Sequence, residues 1–161
     1  MQETSVNKRT DSASAIIRSA PQIIYRAFLD PESVAVWRPP KGMKCHIYEF
    51  NPQVGGTFRM SFDYTDSHHE VTGKTSEHAD IFHGRFLELV PDKRIVELVE
   101  FETGEPAFAG EMTITTTLVR VSEGTEVTFT ASNGPPGIRP EDHYKGMMST
   151  LKNLADFTRY A

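Results

Sequence analysis

The C-terminal stretch from Pro140 to Tyr160 constrains the fold more than any other part of the sequence. Read at helical spacing, it carries one apolar stripe, as does a helix with one side packed against an apolar partner. Pro140 suits the first helical turn, and the two acidic residues after it suit the positive end of the helix dipole. The sequence therefore predicts one long amphipathic helix whose inward stripe is Tyr144, Met147, Met148, Leu151, Leu154, Ala155 and Thr158.

Most of the chain before this helix shows the period-two alternation of β-strands. The alternation is cleanest from Thr57 to Tyr64, where Phe58, Met60 and Phe62 share one face. Glycine-containing turns such as Glu123-Gly124 separate neighbouring strands. Strands are predicted over residues 12–19, 43–50, 57–64, 81–90, 94–101, 110–122 and 125–132.

Two short helices are predicted between the first two strands. Pro21 opens the first helix, because proline suits a first helical position. Asp30 is a suitable N-cap for the second, which ends near Trp37 because Pro39 and Pro40 cannot continue a helix. The fold class is therefore α+β, with a curved antiparallel sheet of about six or seven strands wrapped round the C-terminal helix. A sheet folded over a helix leaves a space that suits a small molecule.

The bulk composition is that of one soluble globular domain. The 161 residues allow a single domain, expected over residues 12–161, with residues 1–11 as a disordered lead. No run approaches the roughly 18 apolar residues of a membrane span, and no signal peptide is visible, so a cytoplasmic protein is expected. The formal charge of −5 argues against a nucleic-acid partner, and Cys45 has no second cysteine to pair with.

A set of short motifs follows one another in a fixed order along residues 12–160. They are Ala20-Pro21 with Tyr25-Arg-Ala-Phe28, Asp30-Pro31-Glu32, Trp37-Arg-Pro-Pro40, Pro52-Gln-Val-Gly-Gly56, Gly84-Arg-Phe-Leu-Glu88, Gly124-Thr125-Glu-Val-Thr128 and His143-Tyr-Lys-Gly146. In this order they resemble the START/Bet v 1-like (SRPBCC) superfamily. Within it, the chain is similar to bacterial proteins related to the C-terminal domain of the activator of heat shock protein 90 ATPase. The resemblance implies the helix-grip fold and a cavity, but no particular reaction.

The expected cavity would be lined by apolar side chains of the sheet and the final helix. Aromatic and methionine side chains make adaptable walls for a flat or greasy ligand, although the same residues would also form a filled core. The predicted ligand-binding residues are Trp37, Phe58, Met60, Phe62, Phe82, Phe86, Phe101, Met112, Phe129, Tyr144, Met147, Met148 and Leu151.

The middle of the final helix is expected to set ligand preference. Met147 stands where the family commonly has a tryptophan, so Met147→Trp is predicted to abolish ligand binding while the fold is retained. Gly146 costs about 1 kcal/mol of helix propensity relative to alanine. A glycine there suggests that a bulky group, such as an aromatic side chain of the sheet, lies against the helix backbone.

Two sets of polar residues are candidates for chemistry. Glu88 shares strand parity with Phe82 and Phe86, so it is the candidate acid or base in the cavity, or else a carboxylate paired with an arginine. The histidines His68, His69, His78 and His83 fall within 16 residues, but their spacing matches no zinc motif. A solvated polar loop is favoured there, and no metal or cofactor is predicted.

Three kinds of function stay open at this point. The first is binding of a hydrophobic or amphipathic small molecule by a monomer or homodimer. The second is regulation of a heat shock protein 90 ATPase, with that chaperone as the partner. The third is an enzyme, such as a cyclase, dehydratase or hydrolase, which would need an ionisable group facing the cavity.

Overall fold

Seven strands form one antiparallel sheet in the computed structural model, which describes residues 9–65 and 79–159. The strands are β1 (Thr10–Ile17), β2 (Met43–Phe50), β3 (Thr57–Tyr64), β4 (Ala79–Val90), β5 (Arg94–Phe101), β6 (Glu111–Val121) and β7 (Gly124–Ser132). Their order across the sheet is β1-β7-β6-β5-β4-β3-β2, so β2 to β7 form a meander and β1 returns to pair with β7. The helices are α1 (Pro21–Leu29), α2 (Pro31–Trp37) and α3 (Pro140–Thr158), with a 3-10 turn at Pro106–Phe108. The predicted α+β architecture is confirmed.

The first strand begins earlier than the sequence pattern indicated. Thr10 pairs with Ser132 and Asp11 with Ala131, so the antiparallel ladder between β1 and β7 continues two residues beyond the predicted start. The stretch is polar, and its strand character comes from the partner strand rather than from its own alternation. Thr10 and Asp11 therefore do not belong to a disordered lead, and residues 1–8 lie outside the described residues.

The two short helices form as their start signals predict. Asp30 has an extended backbone, and its side chain accepts a hydrogen bond from Ser33 N at 3.1 Å, which caps α2. Trp37 Nε1 donates to Ala27 O at 2.9 Å, and the Trp37 ring lies 4.6 Å from the Phe28 ring. The end of α2 is thereby joined to the end of α1.

α3 lies across the sheet and is fastened to the loop that follows α2. Thr150 Oγ1 donates to Arg38 O at 3.1 Å, and Asn153 Nδ2 donates to Pro39 O at 2.8 Å. The prolines after α2 leave carbonyl groups free, and these two side chains of α3 satisfy them.

The inward stripe of α3 is narrower than predicted. Met147, Leu151, Leu154 and Thr158 are the buried residues of the helix. Tyr144 is 50% exposed, so its assignment to the stripe was wrong. Four residues before Met147 stands His143, which continues the inward row, and Tyr144 beside it turns toward solvent.

Position 84 of β4 requires glycine, because the neighbouring strand β5 and the Phe58 ring approach its backbone closely. A Cβ at this position would overlap Leu98 O and lie 2.8 Å from Phe58 Cζ. Gly84→Ala is therefore expected to lower the free energy of unfolding by about 2 kcal/mol, measured by urea denaturation. Gly104→Ala is the control, because a Cβ there meets nothing within 4 Å. Equal stabilities for the two variants would contradict the described packing.

Candidate functional site

A cavity of about 650 Å³ lies between the concave face of the sheet and the N-terminal half of α3. Its sheet walls come from the end of β3, the start of β4, the end of β5, the start of β6 and the end of β7, which meet at one end of the antiparallel sheet. The volume lies within the range of small-molecule sites. The apolar lining consists of Phe28, Trp37, Pro40, Met43, Phe62, Phe82, Val99, Phe101, Phe108, Met112, Ile114, Phe129, Ala131, Ile138 and Met147.

The structure divides the 13 predicted ligand-binding residues into two groups. Those on the cavity wall are Trp37, Phe62, Phe82, Phe101, Met112, Phe129 and Met147. Those away from the wall are Phe58, Met60, Phe86, Tyr144, Met148 and Leu151. The second group, except the exposed Tyr144, belongs to or packs against the filled core at the other end of the sheet. Strand parity identifies the inward face, but it does not show where along that face the core is filled.

Gly146 opens onto the cavity instead of supporting a bulky group. A Cβ at this position would meet nothing within 4 Å, and the residue lies on the cavity wall. The expectation that an aromatic side chain of the sheet packs against the helix there was wrong. The glycine instead leaves the helix backbone facing open space.

A buried ion pair forms part of the cavity wall. Arg38 Nη1 and Nη2 donate to the two carboxylate oxygens of Glu97 at 2.9 and 3.1 Å. The side chains are only 11% and 2% exposed, so each charge depends on the other. Glu97 lies between the inward-facing Ile95 and Val99 of β5, and this charged residue at an apolar position was the signal that sequence reasoning missed.

Thr116 adds a polar atom near the same wall. Its hydroxyl oxygen is buried and has no hydrogen-bond partner among the described residues. Thr116 lies two residues beyond Ile114, which pairs with Glu97 across β5 and β6. The wall opposite α3 is therefore mostly apolar, and its buried polar groups include the Arg38–Glu97 pair, Thr116 and the carboxylate of Asp80 in β4.

A second polar group lies where β1 meets the start of α3. His143 of the cavity wall has its Nδ1 2.8 Å from Asp11 Oδ2, and Arg9 Nη2 donates to the same oxygen at 2.8 Å. Burial raises the pKa of Asp11. The hydrogen bonds from Arg9 and His143 lower it by more than burial raises it, so the pKa lies below its ordinary value. Sequence reasoning missed this pair, because 132 residues separate its members.

Glu88 is not the predicted acid or base of the cavity. A β-bulge between Phe86 and Glu88 shifts the register of β4 on β5, so Glu88 no longer shares the inward side of Phe86. Its side chain is 45% exposed and accepts hydrogen bonds from Arg94 at 2.7 and 3.2 Å. This hydrogen bonding lowers the pKa of Glu88, as expected for a surface carboxylate paired with an arginine.

The remaining sequence candidates give no site in the described part of the chain. His83 lies on the outer face of the sheet, whereas His68, His69 and His78 lie outside the described residues. Within residues 9–65 and 79–159, no group of three or more His, Cys, Asp and Glu side chains is placed to hold a metal ion. Burial raises the pKa of the Cys45 thiol to about 11, so it is a poor nucleophile. None of the helices in these ranges is long and apolar enough to cross a membrane.

A curved antiparallel sheet that closes on a C-terminal helix, with a cavity between them, defines a helix-grip protein. The model of the family described as "Activator of Hsp90 ATPase homolog 1-like protein" matches residues 18–158, and the chain belongs to this family. No curated protein sequence matches the chain significantly.

Solved structures share this fold over nearly the whole chain. A protein of Chromobacterium violaceum is 33% identical, with a TM-score of 0.84 over 94% of this chain and 98% of its own. A protein of Rhodobacter sphaeroides is 16% identical, with a TM-score of 0.75 over 98% and 95% of the two chains. An AHSA1-like protein of Aeromonas hydrophila is 18% identical, with a TM-score of 0.68 over 94% and 92%. The last two likenesses show the fold alone.

The Arg38–Glu97 pair leads to a stability prediction. Glu97→Gln leaves the Arg38 charge buried without its counter-charge, so the free energy of unfolding is expected to fall by about 3 kcal/mol. Replacing both residues by methionine removes both charges together, and that variant is expected to stay within about 1.5 kcal/mol of the wild type. Urea denaturation measures both values. A Glu97→Gln variant as stable as the wild type would mean that Arg38 is hydrated.

Asp11 leads to a prediction of pH-dependent stability. Because the pKa of Asp11 lies below its ordinary 3.8 in the folded protein, its stabilising contribution is complete above that pH and is lost as the pH falls further. Asp11→Asn is expected to lower Tm near neutral pH, and the deficit should shrink as the pH falls below the ordinary pKa of 3.8. Calorimetry across this range, with the wild type alongside, measures the deficit. A deficit of constant size would contradict the assigned pKa direction.

Proposed function

We propose that this protein binds a hydrophobic or amphipathic small molecule in the cavity between the sheet and α3. The observation that carries the proposal is the unfilled volume of about 650 Å³. Protein interiors are close-packed, and empty apolar space lowers stability. α3 nevertheless has a glycine at position 146, where any larger side chain would begin to fill that space. A bound ligand accounts for both features.

The wall favours an uncharged ligand with a flat or flexible apolar body. Seven phenylalanine and tryptophan side chains line the cavity, together with three methionines. Aromatic faces suit a ring system, and methionine adapts to irregular shapes. The buried charges of Arg38 and Glu97 neutralise each other, so this pair offers no unpaired charge to a charged ligand.

Regulation of a heat shock protein 90 ATPase is a second candidate. It is supported by the description of the family to which the chain belongs. A stimulation assay with a purified bacterial homologue of the chaperone tests it. An unchanged ATPase rate at saturating protein would remove this candidate without affecting the first.

N-phenyl-1-naphthylamine, an uncharged fluorescent aromatic amine, is a direct probe of the proposed site. Its fluorescence is expected to rise on binding with micromolar affinity. Trp37 is the sole tryptophan of the chain and lies on the cavity wall, so energy transfer from Trp37 to the probe should accompany binding. Absence of both signals for this probe and for a panel of uncharged aromatic compounds would contradict the proposal.

Filling the cavity from α3 should separate binding from stability. Gly146→Leu places a side chain in open space and improves helix propensity, so stability is expected to rise by roughly 0.5–1 kcal/mol. Probe affinity is expected to fall at least tenfold, measured by fluorescence titration. Tyr144→Leu is the control, because it introduces the same side chain at an exposed site of the same helix and should bind the probe normally. Met147→Trp is expected to behave like Gly146→Leu in binding. Unchanged binding in both filling variants would place the probe elsewhere.

A further inference from the structure

His143 is held in one orientation by a carboxylate. Its Nδ1 lies 2.8 Å from Asp11 Oδ2, and Arg9 donates to the same carboxylate from Nη2 at 2.8 Å and from Nε at 3.1 Å. An ionised carboxylate accepts hydrogen bonds and cannot donate them, so the proton of a neutral His143 resides on Nδ1. The lone pair is then on Nε2, which is the arrangement of a general base.

The same histidine faces the cavity. His143, Gly146, Met147 and Thr150 follow one another at spacings of three, one and three residues along α3, and all four lie on the cavity wall. Positions three apart on a helix are neighbours, so the missing side chain of Gly146 leaves open space beside the imidazole. Nε2 has no hydrogen-bond or ion-pair partner among the described residues. The side chain is 14% exposed, so water can reach the ring.

His83 shows the same kind of pairing without a cavity. Its Nδ1 lies 3.0 Å from Glu102 Oε2, and its Nε2 lies 3.4 Å from Glu100 Oε1. Both ring nitrogens are therefore occupied, and the side chain is 47% exposed on the outer face of the sheet. Of these two described histidines, His143 is the one with a ring nitrogen that has no described partner, and it lies on the cavity wall.

We propose that His143 is a general base that hydrolyses an uncharged carboxylic ester of apolar character bound in the cavity. This inference rests on the proposed function, because the cavity must first bind the ester. A water oxygen bonds to the acyl carbon, the π pair of the carbonyl group moves onto its oxygen, and one proton of the water passes to Nε2. The carbonyl group then re-forms as the bond between the acyl carbon and the alcohol oxygen breaks, and Nε2 returns the proton to the departing oxygen. No cofactor is needed for this sequence.

Two charged residues, Asp11 and Arg139, lie near His143. Asp11 acts through His143 as a positioning residue, since it fixes the tautomer and stabilises the imidazolium that forms. Arg139 lies four residues before His143 and also lies on the cavity wall, one helical turn away. Its guanidinium is 67% exposed and donates to the two carboxylate oxygens of Asp142 at 2.9 and 3.2 Å, so no role in the reaction is assigned to it.

The test uses 4-nitrophenyl hexanoate, whose hydrolysis releases a yellow phenolate. The wild type is expected to hydrolyse it with saturation kinetics, faster than free imidazole at the same concentration. His143→Asn is the central variant, because the asparagine amide can still donate to Asp11 while the Nε2 base is gone. Its kcat is expected to fall by about 100-fold or more. Asp11→Asn should lower kcat about tenfold with KM unchanged, which loss of structure alone would not do.

The controls separate the two proposals. His83→Gln removes the other carboxylate-paired histidine and is expected to retain the wild-type rate. His143→Asn should still bind N-phenyl-1-naphthylamine, because the apolar side chains of the wall are unchanged. If His143→Asn binds the probe and hydrolyses the ester at the wild-type rate, or if the wild type is no faster than free imidazole, the catalytic inference is overturned and the binding function stands. If the wild type binds neither probe nor ester, the binding function itself fails.

Discussion

The packing of the C-terminal half of α3 against the filled end of the sheet is the interaction on which the other features depend. Leu151 and Leu154 are fully buried there, and burying a leucine contributes about 1.5–3 kcal/mol. Hydrogen bonds from Thr150 and Asn153 to the loop after α2 fix the position of the helix along the sheet. Because this half of α3 is secured, the other half can lie over a cavity without collapsing into it.

Two polar pairs of the cavity differ in whether all of their hydrogen-bonding atoms have partners. In the Arg38–Glu97 pair both charges are satisfied by each other, so the pair shapes the inner wall and keeps it neutral. In the Asp11–His143 pair the carboxylate accepts from both Arg9 and His143, while Nε2 of the imidazole has no partner in the described part of the chain. The Arg38–Glu97 pair therefore has a structural role, whereas an imidazole with one unpaired nitrogen can accept a proton.

Signals between near neighbours in the sequence were sufficient to predict the helices and strands, but they were not sufficient to predict which residues line the cavity. Alternation located β3 to the residue, and proline with an Asp30 cap located α2, because these signals act between near neighbours. A β-bulge places Glu88 on the outer face of the sheet, and no residue at that point of the sequence predicts a bulge. The contact between Asp11 and His143 depends on how β1 docks against α3, which pairs residues far apart in the chain. The depth of the filled core depends on side-chain volumes summed over several strands, so parity alone assigned Phe58 and Phe86 to the ligand.

Because one half of α3 packs in the core and the other half lines the cavity, ligand specificity can change separately from the fold. Substitutions at Gly146 and Met147 alter the space available to a ligand, while the leucines one and two turns further on carry the packing. A side chain at position 146 would begin in open space, so the size of the cavity can vary there without loss of the packing at Leu151 and Leu154. His143 lies at the outer end of this adjustable segment and is held from β1 instead of from the core. Its orientation is therefore maintained when the ligand-contacting residues between it and Leu151 change.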